Sequence, residues 1–259
     1  MTGPATLTAL ILAGSRDGAA DPLAIQGGVS HKALLPVDGT PMVLRVIRAL
    51  QQSPAVGRII VVCERKDLLD DLPEAASVAV RHAETSPSAS VAAALAEFGT
   101  PLLVTTADHA LLTPEIVKSF LSLAPSSADA VAAVARSEII CAAYPDTRRT
   151  WLRLRDGLFS GCNLFLLQHE KASLAVVFWR KLEAHRKHPW TMARLIGLSA
   201  LVGYAFKTLT MDKATRLLSR RSGASLAVIT LPFADAAVDV DKPADLFLVE
   251  RTLAARRAA

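Results

Sequence analysis

The chain is short of cysteine, of aromatic residues and of long apolar runs, and each shortage removes a class of protein. Its three cysteines, Cys63, Cys141 and Cys162, are odd in number and far apart. They support neither a disulfide framework nor a C-x-x-C zinc site, and read as small buried hydrophobes in a reducing compartment. Aromatics make up 5% of the chain, and no interleaved basic-aromatic motif of a nucleic-acid module occurs. The apolar run at 195–206 is shorter than the roughly 20 residues a bilayer span requires. No basic region precedes the apolar stretch at 6–12, so no secretory signal is expected and the chain reads as cytoplasmic. The G-x-x-x-x-G-K-[ST] pattern is absent, and so is G-x-G-x-x-G after the first strand, which sets aside a P-loop and a dinucleotide fold.

What is present suits a single α/β domain over residues 1–259. With 51% hydrophobic residues the chain can bury a full core. The net charge of +5 and pI near 9.3 point to an anionic partner. The cations are spread along the chain, so nucleotide phosphates or an acidic membrane surface explain them as well as nucleic acid does. Period-2 and continuous apolar runs predict strands at 6–12, 58–63, 77–82, 101–106, 128–135, 139–144, 157–167, 225–231 and 236–240, with a hairpin arm at 150–154. Helical spacing, serine or threonine caps and first-turn prolines predict helices at 41–51, 67–75, 86–98, from 113, at 170–186, 195–206 and 243–255. Alternation of the two types predicts a layered α/β fold with a mostly parallel sheet. Residues 170–223 form a helical, basic insertion facing the acceptor or a membrane. The run at 195–206 is expected to be a buried helix or, with its surrounding cations, one lying on a membrane.

The organising stretch is 10–42. An apolar strand breaks at Gly14, and a polar, Gly-rich segment follows in which Arg16 and Lys32 are the only full cations before Pro41. Freed backbone N–H groups and a cation at each end suit phosphate binding. The distance from Gly14 to Lys32 predicts a loop that folds over its ligand. In open α/β sheets ligands lie beyond the carboxyl ends of the strands, where Gly14 and Asp108 both fall.

Leu12-Ala13-Gly14 together with Lys32-Ala33-Leu34-Leu35-Pro36 resembles the signature of MobA-like NTP transferases and sugar-phosphate nucleotidyltransferases. The ending Asp239-Val240-Asp241-Lys242-Pro243-Ala244-Asp245-Leu246 resembles their D-x-D/G-x-P-x-D-L. The resemblance implies a three-layer Rossmann-like (GT-A type) mixed, mostly parallel sheet flanked by helices. It also implies Mg2+ held by Asp108 and Asp239, Arg16 on the β and γ phosphates, and Lys32 on the α-phosphate. Leu12, Ala13, Gly14 and Ser15 would contact the nucleotide, Ser86, Ser88 and Ser90 the base or ribose, and Gly161 and Asn163 the acceptor. Asp241 and Asp245 are expected to cap the last helix and brace its turn, and His109 to be structural. Arg153 and Arg155, two apart on a strand, would clamp an acceptor phosphate or form a solvated face. The loop departs from the relatives' tighter G-x-S-x-R-M-G by the insertion at 19–30.

The resemblance implies transfer of a nucleotidyl group from an NTP, CTP or GTP favoured, to a small phosphorylated sugar, polyol or lipid head. A molybdenum-cofactor guanylyl- or cytidylyltransferase is the alternative. A nucleotide-sugar-dependent glycosyltransferase on the same fold would carry D-x-D at the strand end, where this chain has Thr106-Ala107-Asp108-His109.

Overall fold

β1 (Leu7–Leu12) is flanked by a parallel strand on each side, so its side chains are buried on both faces of the sheet. In the computed structural model, which describes residues 7–15, 18–185 and 188–258, β1 leads to a short helix α1 (Pro22–Gln26), a small hairpin of β2 (Pro36–Val37) and β3 (Thr40–Pro41), and α2 (Met42–Gln51). Then come β4 (Val56–Cys63), β5 (Ala79–His82), α3 (Pro87–Phe98), β6 (Leu102–Thr106), α4 (Pro114–Leu123), β7 (Ala130–Arg136) and α5 (Ser137–Ala143). After β8 (Leu152–Leu154) and β9 (Gly157–Leu167), four helices follow: α6 (Ala172–His185), α7 (Pro189–Ile196), α8 (Leu198–Ala205) and α9 (Met211–Ser222). β10 (Leu226–Thr230) and α10 (Pro243–Ala258) complete the described chain.

Eight strands form one sheet in the order β10-β7-β9-β6-β1-β4-β5, with β8 paired to β9. β9 runs antiparallel to β6, β7 and β8, and the other pairings are parallel. The architecture is therefore the expected mixed, mostly parallel α/β sandwich. Leu7, Ala9 and Ile11 enter a core shared with α2, α4 and α10, while Leu10 enters a second core with α3 and α6. This division follows from the period of two along a strand. The carboxyl ends of β1, β4, β5 and β6 consequently meet at one edge.

Four local expectations are corrected. Residues 139–143 are helical and Tyr144 is the C-cap, because only Ile140 and Tyr144 of the run are buried and they stand four apart, the spacing of one helical face. Residues 236–240 make no ladder: a 3-10 turn at Asp235–Ala237 leads into extended chain, where the Val240 N–H donates to the Asp108 carbonyl (3.0 Å). Residues 67–75 are turns ending in a 3-10 turn at Pro73–Ala75, consistent with Pro73 removing a helical donor. The run at 195–206 breaks at Gly197, whose φ of 104° is a backbone region that side chains avoid. A Cβ there would also lie 2.9 Å from the Arg221 guanidinium.

Candidate active site

The turn after β1 is held by its neighbours' backbones. Ala13 N–H donates to the Val62 carbonyl, and the Leu12 carbonyl accepts from Ala107 N–H, each at 2.9 Å. These bonds place Gly14 and Ser15 at the edge between β4 and β6. Arg16 lies outside the described residues. The following segment is more ordered than a loop folded over a ligand. It contains a 3-10 turn at Gly18–Ala20 and then α1, capped by Asp21, whose Oδ1 accepts from Leu23 N–H (2.9 Å) and Ala24 N–H (3.3 Å).

Lys32 sits at the centre of an acidic group. Its Nζ donates to Asp108 Oδ2 (3.1 Å) and to Asp241 Oδ1 (3.0 Å). Burial pulls the Lys32 ammonium down, but Asp108 and Asp241 outweigh it and hold its pKa above the usual lysine value. Asp239 accepts from Arg149 Nη1 (3.0 Å) and Asn163 Nδ2 (3.4 Å). Burial raises the Asp239 carboxyl, the Arg149 bond opposes it, and the charges of Asp241 and Asp108 raise it further. The Val240 N–H, donating to the Asp108 carbonyl (3.0 Å), sets the chain next to Asp239 against the end of β6. Asp108 Oδ1 and Arg149 Nε are buried with no hydrogen-bond partner among the described residues.

Two of these partners escaped sequence reasoning. Arg149 sits in an irregular stretch with no motif to mark it. Asp241 reaches Lys32 across 209 positions instead of capping the last helix. Asp245 does brace the turn: its Oδ2 accepts from Asp241 N–H (3.2 Å) and Lys242 N–H (3.1 Å).

Beside Lys32 lies a second cluster. His31 is buried, and its Nδ1 accepts from Ala33 N–H (3.0 Å). The ring proton is therefore on Nε2, 3.1 Å from Glu64 Oε1. Glu64 Oε2 in turn accepts from Ser15 N–H (3.2 Å), so a buried imidazole steadies the acid that holds the first turn. Cys63 Sγ lies 3.7 Å from His31 Nε2 and 3.6 Å from Glu64 Oε2. Among the described residues these are the three ligand-type side chains within 4.8 Å of one another. The imidazole nonetheless has the wrong tautomer for a metal: Nε2 carries the proton, and moving it to Nδ1 would set it against Ala33 N–H. Burial also pushes the Cys63 thiol up to about 11. The cluster is a hydrogen-bonded brace.

The serines divide. A cavity of about 230 Å3 is lined by Leu12, Gly14, Ser15, Glu64, Glu84, Ser86 and Ser90, among others. Ser88 is not among them: it is fully buried and its hydroxyl donates to Glu183 of α6. Ser86 caps α3, and Ser90 Oγ accepts from Glu84 N–H (2.9 Å). Another cavity, about 280 Å3, is lined by Arg148, Arg149, Gly161, Asn163, Asp239, Asp241 and Lys242, among others. Asn163 occupies left-handed backbone (φ 46°), which asparagine tolerates better than most residues. Arg153 and Arg155 do not line it. β8 stops at Leu154, and both side chains are exposed. His109 is buried, and burial lowers its pKa to about 4 against the pull of Asp108. It is neutral at physiological pH, and its Nε2 is buried without a hydrogen-bond partner among the described residues.

A Gly turn after the central strand, with a lysine and aspartates gathered at the carboxyl edge of a mostly parallel sheet, defines a nucleotidyltransferase-type protein. The chain belongs to the MobA-like NTP transferase domain family, whose pattern matches residues 9–169. It is similar to a hypothetical transferase from Thermus thermophilus, at 31% identity over 93% of this chain and 99% of that one, with a TM-score of 0.80. The fold is also that of a 4-diphosphocytidyl-2C-methyl-D-erythritol synthase from Anaerococcus prevotii (11% identity, 96% of each chain, TM-score 0.59). A nucleotidyl transferase from Methanothermobacter thermautotrophicus shares it too (15% identity, 98% of this chain and all of that one, TM-score 0.56). No curated protein matches the sequence.

Proposed function

We propose that this protein transfers a nucleotidyl group from an NTP to a small phosphorylated acceptor and releases pyrophosphate. We read residues 1–259 as one such domain, with 170–223 its helical basic insertion. The observation that carries the reading is the 280 Å3 cavity in which Arg148, Arg149 and Lys242 stand beside Asp239, Asp241 and Asn163. Three cations lining the same cavity as these acids suit an acceptor that is itself an anion, such as a sugar, polyol or lipid-head phosphate. Arg149 Nε, buried and without a partner among the described residues, is a donor such a phosphate would satisfy.

An acceptor phosphate oxygen forms a bond to the α-phosphorus. The bond from that phosphorus to the bridging oxygen breaks, and the pair leaves with pyrophosphate. Because anion meets anion, placement and charge neutralisation carry most of the catalysis. We assign Lys32 to the α-phosphate and Arg16 to the β and γ phosphates. Asp108 and Asp239 fit Mg2+: one oxygen of Asp108 is buried without a partner, and Asp239 is crowded by like charge. When bound there, the ion would supply positive charge against the triphosphate. Glu64 and Glu84 place hydrogen-bond acceptors in the 230 Å3 cavity, among lining residues that include no cation. That lining suits a base that carries an amino donor, as cytosine, guanine and adenine do, over uracil; among these we favour CTP or GTP on the family resemblance. A molybdenum-cofactor guanylyl- or cytidylyltransferase remains the alternative that the family itself supports.

The test is a pyrophosphate-release screen of the four NTPs with Mg2+ against sugar, polyol, amino-alcohol and pterin phosphates. Release that needs both an NTP and one phosphorylated acceptor is the expected result. NTP binding without release from any pair would remove this reading.

A further inference from the structure

Within 171–222 the chain carries eleven Lys and Arg but only two acids, Glu183 and Asp212, so this segment alone is +9 and the remainder of the chain is net acidic. The cations look spread along the sequence, but the acids that would balance them are missing here. In the structure every described Lys and Arg of the segment is exposed, and among the described residues only Arg216 has a carboxylate partner, Asp212. Elsewhere arginines are paired, as in Arg45–Asp38, Arg48–Glu74 and Arg81–Glu97. The same segment holds six of the ten large hydrophobic side chains that are exposed in the described chain. Trp190 on α7 is 85% exposed, and Phe206 at the end of α8 is 76% exposed, with Val202 one turn before it.

We propose that α7 and α8, supported by the cations of α6 and α9, form a docking surface for an anionic lipid bilayer. The break at Gly197 sets two short helices in place of one long one, and no helix among the described residues is long and apolar enough to cross a membrane. The contact is therefore interfacial. Exposed Trp and Phe suit the headgroup layer, and unpaired cations suit anionic lipid. A second copy is a poor occupant, because a two-fold contact would set this positive face against itself. The surface is independent of the nucleotidyl-transfer reading, since none of its residues belongs to the Lys32–Asp108–Asp239 group.

The experiment is co-sedimentation of the full chain with phosphatidylcholine vesicles, with and without about 30% phosphatidylglycerol, in about 0.1 M salt and again in about 0.5 M salt. Binding to the anionic vesicles alone, lost at high salt, is expected. The double variant Trp190→Ser/Phe206→Ser should reduce the bound fraction about tenfold, while Ile25→Ser/Phe247→Ser, exposed apolar positions elsewhere, should not. Lys207→Gln/Arg221→Gln, which leaves the apolar residues in place, should weaken binding to the anionic vesicles about tenfold. Equal binding to neutral vesicles, no binding to either, or equal losses from the two serine variants would overturn the proposal. So would a dimer in solution that Trp190→Ser/Phe206→Ser dissolves, which would assign the face to a second copy.

Discussion

Lys32 Nζ bridges Asp108 and Asp241, 3.1 Å from one carboxylate and 3.0 Å from the other, joining the strand-end acid to the C-terminal turn through a single ammonium. With its side chain only 17% exposed, this cation is held in place before any nucleotide arrives. Preorganised charge of this kind lowers a barrier without reorganisation during the reaction.

Lys32→Ala should therefore lower turnover by roughly 100- to 1000-fold. It also leaves Asp108 and Asp241 without their shared partner, at a stability cost of about 1–3 kcal/mol. Steady-state kinetics and thermal melts separate the two effects. Turnover within a few-fold of wild type would show that the lysine only holds the turn.

Asp108→Asn and Asp239→Asn should each cut Mg2+-dependent pyrophosphate release about 1000-fold while far-UV dichroism stays unchanged. Treatment with EDTA should reproduce the loss in the wild type and added Mg2+ should reverse it. Near-native rates in either variant would remove that carboxylate from the metal assignment.

Zinc should leave the melting temperature of the wild type unchanged, despite the close approach of His31, Cys63 and Glu64. The Ala33 N–H bond to Nδ1 keeps the proton on the nitrogen a metal would need. His31→Phe should destabilise the fold by about 1–3 kcal/mol, through the lost Glu64 and Ala33 bonds. A rise of several degrees in melting temperature on adding zinc would refute the brace.

Tyr144 donates to Asp235, and burial, then that acid, raises its pKa to about 12 from 10.0. The folded chain therefore holds the proton where the unfolded chain has lost it. The stability this contributes is fully present below pH 10 and is lost as pH rises through about 12. The chain has two tyrosines, so ultraviolet titration of Tyr204→Phe isolates Tyr144. Ionisation near 10 would show that the ring is not shielded.

Much of the fold could be read locally. Thr113 and Ser86 cap α4 and α3 as their positions predict, and the strand runs at β1, β4, β6 and β9 lie where period and composition place them. Short apolar runs were the weak point. Residues 139–144 could satisfy either period until burial chose Ile140 and Tyr144, and the run at 195–206 hid its break because one glycine carries little weight in a hydrophobic average.

The amino-acid order determined by itself the layered class, the Gly turn after β1, and the chemical types of Lys32, Asp108 and Asp239, since these follow from periodicity and motif spacing. Only the tertiary structure recruited Arg149 to Asp239, turned Ser88 toward Glu183, set Asp241 on Lys32 and chose the tautomer of His31. Each of those depends on side chains meeting from far along the chain. Coulomb forces and hydrogen bonds act over a few ångströms of space, and residue spacing carries no record of which distant carboxylate a buried cation will find.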